Sequence, residues 1–317
     1  MNAPCSDPRF SIVIPCFNEA DYVGATLTSL HQQTYTGSYE LIVVDNNCTD
    51  DTAEIAGAHG ARVVAEETRG VCFARQKGTE VSAGEIVISA DADTTYATDW
   101  LARVDETFRS DESIAAVVGP CRYVGGPLWG RAYARALFGG VQIVYRMTGR
   151  TMYVSATNIA FRKSCWQGYD LALTQGGDEL GLMRDLRTRG RVVYLHDNPT
   201  FTSSRRLTRG LLYGLFVTVI YYYLSAYFLN RMTRRTVIGA APTYRNDRSV
   251  VASRLQATAV GLLTVLLVLM PFSHPRHYIF DKSDAVLDRI HAKISHRRSC
   301  CGSSRRSCSS ASSRTGC

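Results

Sequence analysis

No glycine follows the first predicted strand of this 317-residue chain, where dinucleotide-binding proteins carry a Gly-x-Gly-x-x-Gly turn. The segment reads Pro15-Cys16-Phe17-Asn18-Glu19 instead. This absence argues against an oxidoreductase that binds a dinucleotide on a doubly wound sheet. Of the ten cysteines, six lie singly in the first 165 residues and the last four lack the paired spacing of a zinc site. We therefore expect free thiols and a reducing compartment.

A secretory signal is also missing from the start of the sequence, because Met1 to Arg9 is polar and the next apolar run is only as long as a strand. The expectation is a domain on the cytoplasmic side. The net charge is +8, but acids are frequent in residues 1–120 and the basic excess lies in the last third. Because the charge is uneven, overall basicity says little about nucleic acid, and we predict no nucleic-acid partner.

The first half of the chain alternates short apolar runs with amphipathic segments, which predicts strands and helices in turn. The predicted strands are residues 10–16, 41–44, 62–65 and 86–90. This βαβαβαβ order favours an α/β fold with a doubly wound, mixed and mainly parallel sheet that helices cover on both faces. The second half is mixed, with helices predicted at residues 98–110, 127–148 and 177–189 and strands at residues 115–119 and 192–195.

Polar side chains recur where the predicted strands end. They are Asn18, Glu19, Asp45, Asp91 and Asp93, and Pro15 precedes the first of them. Because the carboxyl ends of parallel strands share one edge of a sheet, and ligands bind beyond that edge, we expect these residues to meet there. Asp91 and Asp93 stand at i and i+2, so an extended backbone would let both turn to one side. Two hard oxygen ligands suit Mg²⁺ or Mn²⁺ bridging a diphosphate.

Three further features accompany this edge. Arg75 lies on the helix that precedes Asp91, and Asp178 and Glu179 begin the predicted helix at residues 177–189. Two more arginines follow the last predicted strand, Arg205 and Arg206. Guanidinium groups fit phosphate well, which makes this pair a candidate for phosphate binding. A positive cluster beside a membrane segment is the alternative, since a long apolar run comes next.

Together these motifs resemble the family 2 glycosyltransferases, which are inverting enzymes of the GT-A fold that use nucleotide-sugar donors. The resemblance covers about residues 10–205, and residues 1–205 would form the glycosyltransferase domain. Gly70 and Arg75 before Gly84 also match the family's approach to its metal motif. The resemblance implies transfer of a single sugar, from a UDP-linked donor most often, to a lipid-linked or glycan acceptor in cell-envelope glycan biosynthesis.

The resemblance also implies roles for single residues. Asp45 would accept a hydrogen bond from the nucleotide base, while Asn18, Glu19 and the backbone at Pro15 help to hold the donor. Arg75 would lie beside the same nucleotide.

The implied cofactor is a divalent metal, Mg²⁺ or Mn²⁺. Asp93 would be its principal ligand, and Asp91 would touch the ribose or the metal. The metal would neutralise the diphosphate leaving group.

The acidic pair Asp178-Glu179 departs from the family pattern. The family usually has Glu-Asp there, with the aspartate as general base, whereas this chain has Asp178-Glu179. Alignment on Leu182 and Leu186 puts Glu179 at the base position; Asp178 could serve instead, or could cap the helix. The reversed order leaves a second reading open, a catalytically inactive nucleotide-sugar-binding protein of the same fold. The Gln-x-x-Arg-Trp signature of processive synthases is absent, which disfavours a polymer synthase.

Two long apolar runs follow the part of the chain that resembles the family. Residues 210–229 and residues 255–272 are 20 and 18 residues without a formal charge. Both are long enough to cross a bilayer, so we expect residues 206–275 to form two membrane-associated helices with a basic connecting loop. One or both could span, because two spans would put the basic loop outside, against the positive-inside rule. We expect the Ser/Arg/Cys-rich tail at residues 276–317 to be disordered.

Overall fold

Residues 7–171 and 178–207 are described by the structure, a computed structural model of the chain. All of them belong to the first of two compact units, Met1–Val265; the second is Leu266–Cys317. The apolar runs at residues 210–229 and 255–272 and the tail lie outside the described residues, so the predicted membrane helices and domain boundaries stay predictions. Within the described ranges, no helix is long and apolar enough to cross a membrane.

Sixteen helices and strands make up the described domain, together with three short 3₁₀ turns at residues 156–158, 163–165 and 205–207. The strands are β1 (Phe10–Cys16), β2 (Tyr39–Asp45), β3 (Arg62–Ala65), β4 (Ile86–Ser89), β5 (Thr94–Tyr96), β6 (Ile114–Val118), β7 (Cys121–Val124), β8 (Ile159–Arg162), β9 (Arg191–Tyr194) and β10 (Thr200–Ser203). The helices are α1 (Ala20–His31), α2 (Thr52–Ala58), α3 (Val71–Val81), α4 (Trp100–Ser110), α5 (Leu128–Thr148) and α6 (Asp178–Arg189).

Seven strands form the main sheet in the order β3-β2-β1-β4-β8-β6-β9. Strand β8 runs antiparallel to both β4 and β6, whereas the other neighbours pair in parallel. The predicted mixed, mainly parallel α/β sheet is therefore confirmed. A second sheet, β5-β10-β7, was not predicted, because strands of three or four residues are too short to show a period of two.

The core lies on both faces of the main sheet. Ile12 and Ile14 of β1 join a buried cluster with helices α1 and α4. Val13, between them, joins a second cluster with α3, α5 and α6 on the other face. Strands buried on both sides read as continuous apolar runs, which is why β1, β2 and β4 were visible in the sequence.

Candidate active site

The loops after β1 and β2 are tied to each other at the carboxyl edge of the sheet. Cys16 and Asp45 are register partners at the ends of the two strands. The Asp45 Oδ1 atom accepts a hydrogen bond from the Cys48 amide at 2.8 Å. Asp45 is partly exposed at this edge. Asn18 accepts from the Thr49 amide at 2.6 Å and donates to the Thr49 hydroxyl at 3.1 Å. The side chain of Asn18 therefore links the two loops, and its predicted role in donor binding stays a prediction.

Asn46 positions the next helix, and sequence reasoning did not single out that role. Its side chain is buried, at 4% exposure. The Nδ2 atom donates to the carbonyls of Glu66 at 2.9 Å and Thr68 at 2.7 Å, and the Oδ1 atom accepts from the Gly70 amide at 2.7 Å. Gly70 has a φ of 149° and immediately precedes α3. The three bonds fix the start of the helix that carries Arg75.

Arg75 and Asp91 form an ion pair inside this edge. The guanidinium is 4% exposed, and its Nη2 atom lies 2.9 Å from the Asp91 Oδ1 atom. Asp91 and Asp93 occupy a turn between β4 and β5, so the expectation of an extended segment is wrong. The Thr26 hydroxyl of α1 donates to the Ala92 carbonyl at 2.7 Å and holds that turn in place.

Arg205 joins acids from two distant segments. Its terminal nitrogens contact both carboxylate oxygens of Glu19, at 2.6 and 2.8 Å, and its Nε atom lies 3.0 Å from Asp93 Oδ2. The guanidinium also lies 4.7 Å from the centre of the Tyr22 ring. The other Asp93 oxygen accepts from the Thr202 hydroxyl at 3.2 Å. Glu19 and Asp93 are thus brought together although 74 residues separate them (93 − 19).

The acids at this edge affect the pKa of a neighbouring thiol, Cys16. Burial raises the pKa of Cys16 well above its usual value, and the charges of Cys48, Glu19, Asp45 and Asp91 raise it further. Cys16 ends β1 beside Asp45 at the end of β2, which places this thiol at the carboxyl edge.

The aspartate pair fits a metal that a phosphate ligand completes. Mg²⁺ is commonly held by one or two carboxylates together with substrate phosphates and water. Asp91 and Asp93 supply two carboxylates on one turn, and the described residues contain no cluster of three or more His, Cys, Asp or Glu side chains able to hold a metal. Arg205 already contacts Asp93, so a metal would share this carboxylate with the guanidinium or displace it.

Asp178 and Glu179, the first residues of α6, also lie at the carboxyl edge. Helix α6 ends one residue before β9, which starts beside the start of β6. The helix therefore runs back from the carboxyl edge, where its first residues lie. Leu182 and Leu186 are buried against the sheet, and the Glu179 side chain is partly exposed. The side chains of Asp178 and Arg206 lie outside the described part of the structure, so their roles stay predictions.

Comparison with known proteins agrees with this fold. Residues 11–168 match the family described as glycosyl transferase family 2, and the chain belongs to that family. An uncharacterized glycosyltransferase of Mycobacterium tuberculosis is 34% identical over 119 residues, which cover 38% of this chain and 51% of the relative. The chain thus spans about half the length of this curated relative.

Two solved structures share the fold. The mannosyltransferase PcManGT from Pyrobaculum calidifontis, in complex with GDP-Man and Mn²⁺, has a TM-score of 0.55 at 19% identity and covers 92% of this chain and 82% of its own. S. aureus TarS 1-349, in complex with UDP, has a TM-score of 0.50 at 19% identity and covers 81% of each chain. At these identities the likeness concerns the fold, and it agrees with the predicted GT-A type.

Proposed function

We propose that this protein is an inverting, metal-dependent glycosyltransferase that moves one sugar from a UDP-linked donor to a hydroxyl of a lipid-linked or glycan acceptor. One observation carries the proposal. Glu19 after β1 and the turn that carries Asp91 and Asp93 reach the edge from two separate segments, and each of the three acids is held by a guanidinium. Family membership supports sugar transfer as the reaction. One neighbour was solved with UDP and the other with GDP-Man, so both support a nucleotide-linked donor, and the choice of UDP rests on the family resemblance of the sequence.

In this proposal the first two loops bind the nucleoside. Asp45 is partly exposed at the end of β2 and accepts from the base, since an acceptor-only carboxylate matches an N–H group. Glu19 and the Pro15 backbone hold the ribose side. Arg75 holds the Asp91 carboxylate toward the donor through their ion pair of 2.9 Å.

Asp93 and Asp91 would hold Mg²⁺ or Mn²⁺ against the donor diphosphate. The metal, when bound, neutralises the charge that develops on the departing nucleoside diphosphate. Arg205 adds a second positive charge. Its guanidinium contacts Glu19 and Asp93, and it can also bind a phosphate oxygen of the donor. This role agrees with its selection from the sequence as a phosphate-binding candidate.

An acid at the start of α6 completes the chemistry. As the acceptor oxygen bonds to the anomeric carbon, the bond from that carbon to the diphosphate breaks on the opposite face. The proton of the acceptor hydroxyl passes to a carboxylate, and Glu179 is the base that we propose, with Asp178 as the alternative. General base catalysis of this kind contributes about 10²–10⁴ in rate.

The acceptor and location follow from the sequence beyond the described residues. Two uncharged runs of 20 and 18 residues suit membrane association, which would bring a lipid-linked acceptor to a catalytic domain on the cytoplasmic side.

The competing proposal is an inactive nucleotide-sugar-binding protein, favoured by the reversed Asp178-Glu179 order. Full-length protein with Mn²⁺ is incubated with UDP-, GDP- and dTDP-sugars and with lipid-phosphate and glycan acceptors, and product is measured. The catalytic proposal expects turnover that Asp93→Ala abolishes and Asp197→Ala leaves intact, since Asp197 is an exposed residue at 58%. Donor binding without turnover on any acceptor would support the binding protein instead.

A further inference from the structure

Helix α5 carries an outward face that the described fold does not cover. Leu128 is 76% exposed, Ile143 is 61% exposed and Met147 is 80% exposed. Together with Ala132 and Ala136 they recur at intervals of four, four, seven and four residues, which places them on one side of a helix. The opposite side packs on the sheet through Ala134, Phe138 and Val141, all of which are buried. Helix α5 therefore has two apolar sides, one packed on the sheet and a second stripe that faces out.

Charge accompanies this stripe. Arg131, Arg135 and Arg146 are exposed, and α5 contains no acid. The absence extends well beyond the helix: residues 113–169 include seven basic side chains and no aspartate or glutamate. By helical spacing the three arginines flank the stripe on one side. Exposed apolar residues bordered by arginines match the apolar interior and anionic headgroups of a lipid surface.

The connection to the rest of the chain points the same way. Leu207, the last described residue, is buried against the start of α5, because a Cβ atom at Gly130 would collide with its side chain. Likewise Gly126 lies directly against Ser204. The uncharged run at residues 210–229 begins three residues after Leu207. Helix α5 thus starts beside the last described residue before an uncharged run that is long enough to enter a bilayer.

We propose that the outer face of α5, formed by Leu128, Ile143 and Met147 with their flanking arginines, docks flat on an anionic membrane surface. The apolar stripe enters the headgroup boundary while the arginines bind lipid phosphates. Each arginine near an anionic surface contributes about fivefold to partitioning. The apolar run then anchors the chain, and α5 sets the orientation of the domain on the bilayer.

Docking would also place the site for its acceptor. Ser204, which contacts Gly126 just before α5, is the neighbour of Arg205, and Arg205 contacts Glu19 and Asp93. The carboxyl edge would therefore face the bilayer surface, within reach of a lipid-linked hydroxyl. This last step rests on the proposed function, whereas the docking itself does not.

Hydroxyl-radical footprinting of the full-length protein tests the docking. The protein is reconstituted in vesicles of phosphatidylcholine alone, and in vesicles containing about one third phosphatidylglycerol. Oxidation of Met147 is compared with that of Met183, which is 2% exposed and serves as the internal reference. We expect Met147 oxidation to fall toward that of Met183 only with phosphatidylglycerol, and to recover near 1 M salt, where the Debye length is about 3 Å.

Matched variants separate the causes. The triple variant Arg131→Glu, Arg135→Glu, Arg146→Glu should lose the lipid dependence, and Ile143→Asp should lose it without changing the arginines. Arg62→Glu should keep the lipid dependence, because Arg62 lies on β3, an edge strand of the main sheet, and not on α5.

Three outcomes would overturn the docking. They are a Met147 that is readily oxidised in both vesicles, a Met147 that is protected in both vesicles, and a triple variant that behaves as the wild type. Protection in both vesicles would mean that residues 208–317 or a second copy of the chain covers α5. No donor, metal or acceptor enters this assay, so its failure leaves the glycosyltransferase proposal standing, and absent sugar transfer leaves the docking result standing.

Discussion

Replacing Arg205 by methionine removes the cation that holds Glu19 and Asp93 together. Glu19 is 12% exposed and Asp93 is 11% exposed, so both carboxylates would lose a neighbouring positive charge in a largely buried setting. Removing one partner of a buried ion pair costs about 3–5 kcal/mol, whereas an exposed pair is worth about 0–1 kcal/mol. Because Arg205 itself is 21% exposed, we expect a loss near 3 kcal/mol.

Thermal unfolding in metal-free buffer measures this loss. For a domain of about 200 residues, 1 kcal/mol corresponds to about 2–4 °C in Tm, so Arg205→Met should lower the Tm by about 9 °C. Arg205→Lys keeps the positive charge but loses the bidentate contact to Glu19. Its Tm should lie between those of the wild type and Arg205→Met. Adding Glu19→Gln to Arg205→Met should recover part of the loss, because one of the unpaired charges is then removed.

Mn²⁺ provides the second half of this test. With the guanidinium gone, Asp93 has no competing cation from that side chain, so Mn²⁺ should raise the Tm of Arg205→Met more than that of the wild type. The control is Arg62→Met, which removes an exposed contact of 3.7 Å to Glu40 and should change the Tm by about 2 °C or less. A Tm for Arg205→Met within about 2 °C of the wild type would refute the reasoning.

Three further predictions follow from the same contacts. Glu179→Gln should lower kcat by about 10²–10⁴ with little change in donor affinity, while Asp178→Asn should not, as measured by single-turnover kinetics; the reverse result would make Asp178 the base. Asn46→Ala should cost about 3 kcal/mol in chemical unfolding, because three hydrogen bonds to the loop between β3 and α3 are lost, and a loss below about 1 kcal/mol would contradict a positioning role. Burial raises the pKa of the Cys121 thiol from 9.0 to about 11. Its contribution to stability is therefore complete below pH 9 and decreases as the pH rises toward 11, by about 2–3 kcal/mol, and unfolding of Cys121→Ala across that range should lack this decrease.

The sequence predicted the features that depend on local pattern. The apolar strands β1, β2 and β4 and the helix α5 were visible because burial on a sheet or along a helix leaves a periodic trace. The acids at the strand ends could be expected to share an edge, because parallel strands have a fixed direction. The carboxyl-edge position of Asp45 and Asp91 followed from that rule alone.

The contacts across the chain could not be predicted in this way. Arg205 and Glu19 are separated by 186 residues, and they meet only because β10 pairs with β5 in a small sheet whose strands have no readable period. The three contacts of Asn46 also depend on where the loop before Gly70 folds back. Likewise, the turn at Asp91 and Asp93 is set by Thr26 on α1, a tertiary contact that local pattern does not contain.

The most direct test of the central claim is calorimetric binding of UDP with Mn²⁺ to the full-length protein and to Asp45→Ala, Asp93→Ala and Asp197→Ala. The account predicts that the first two variants bind at least about tenfold more weakly, a loss of about 1.4 kcal/mol each. Asp197→Ala should bind as the wild type does. Unchanged affinity in both Asp45→Ala and Asp93→Ala would contradict the claim that these acids share one donor site.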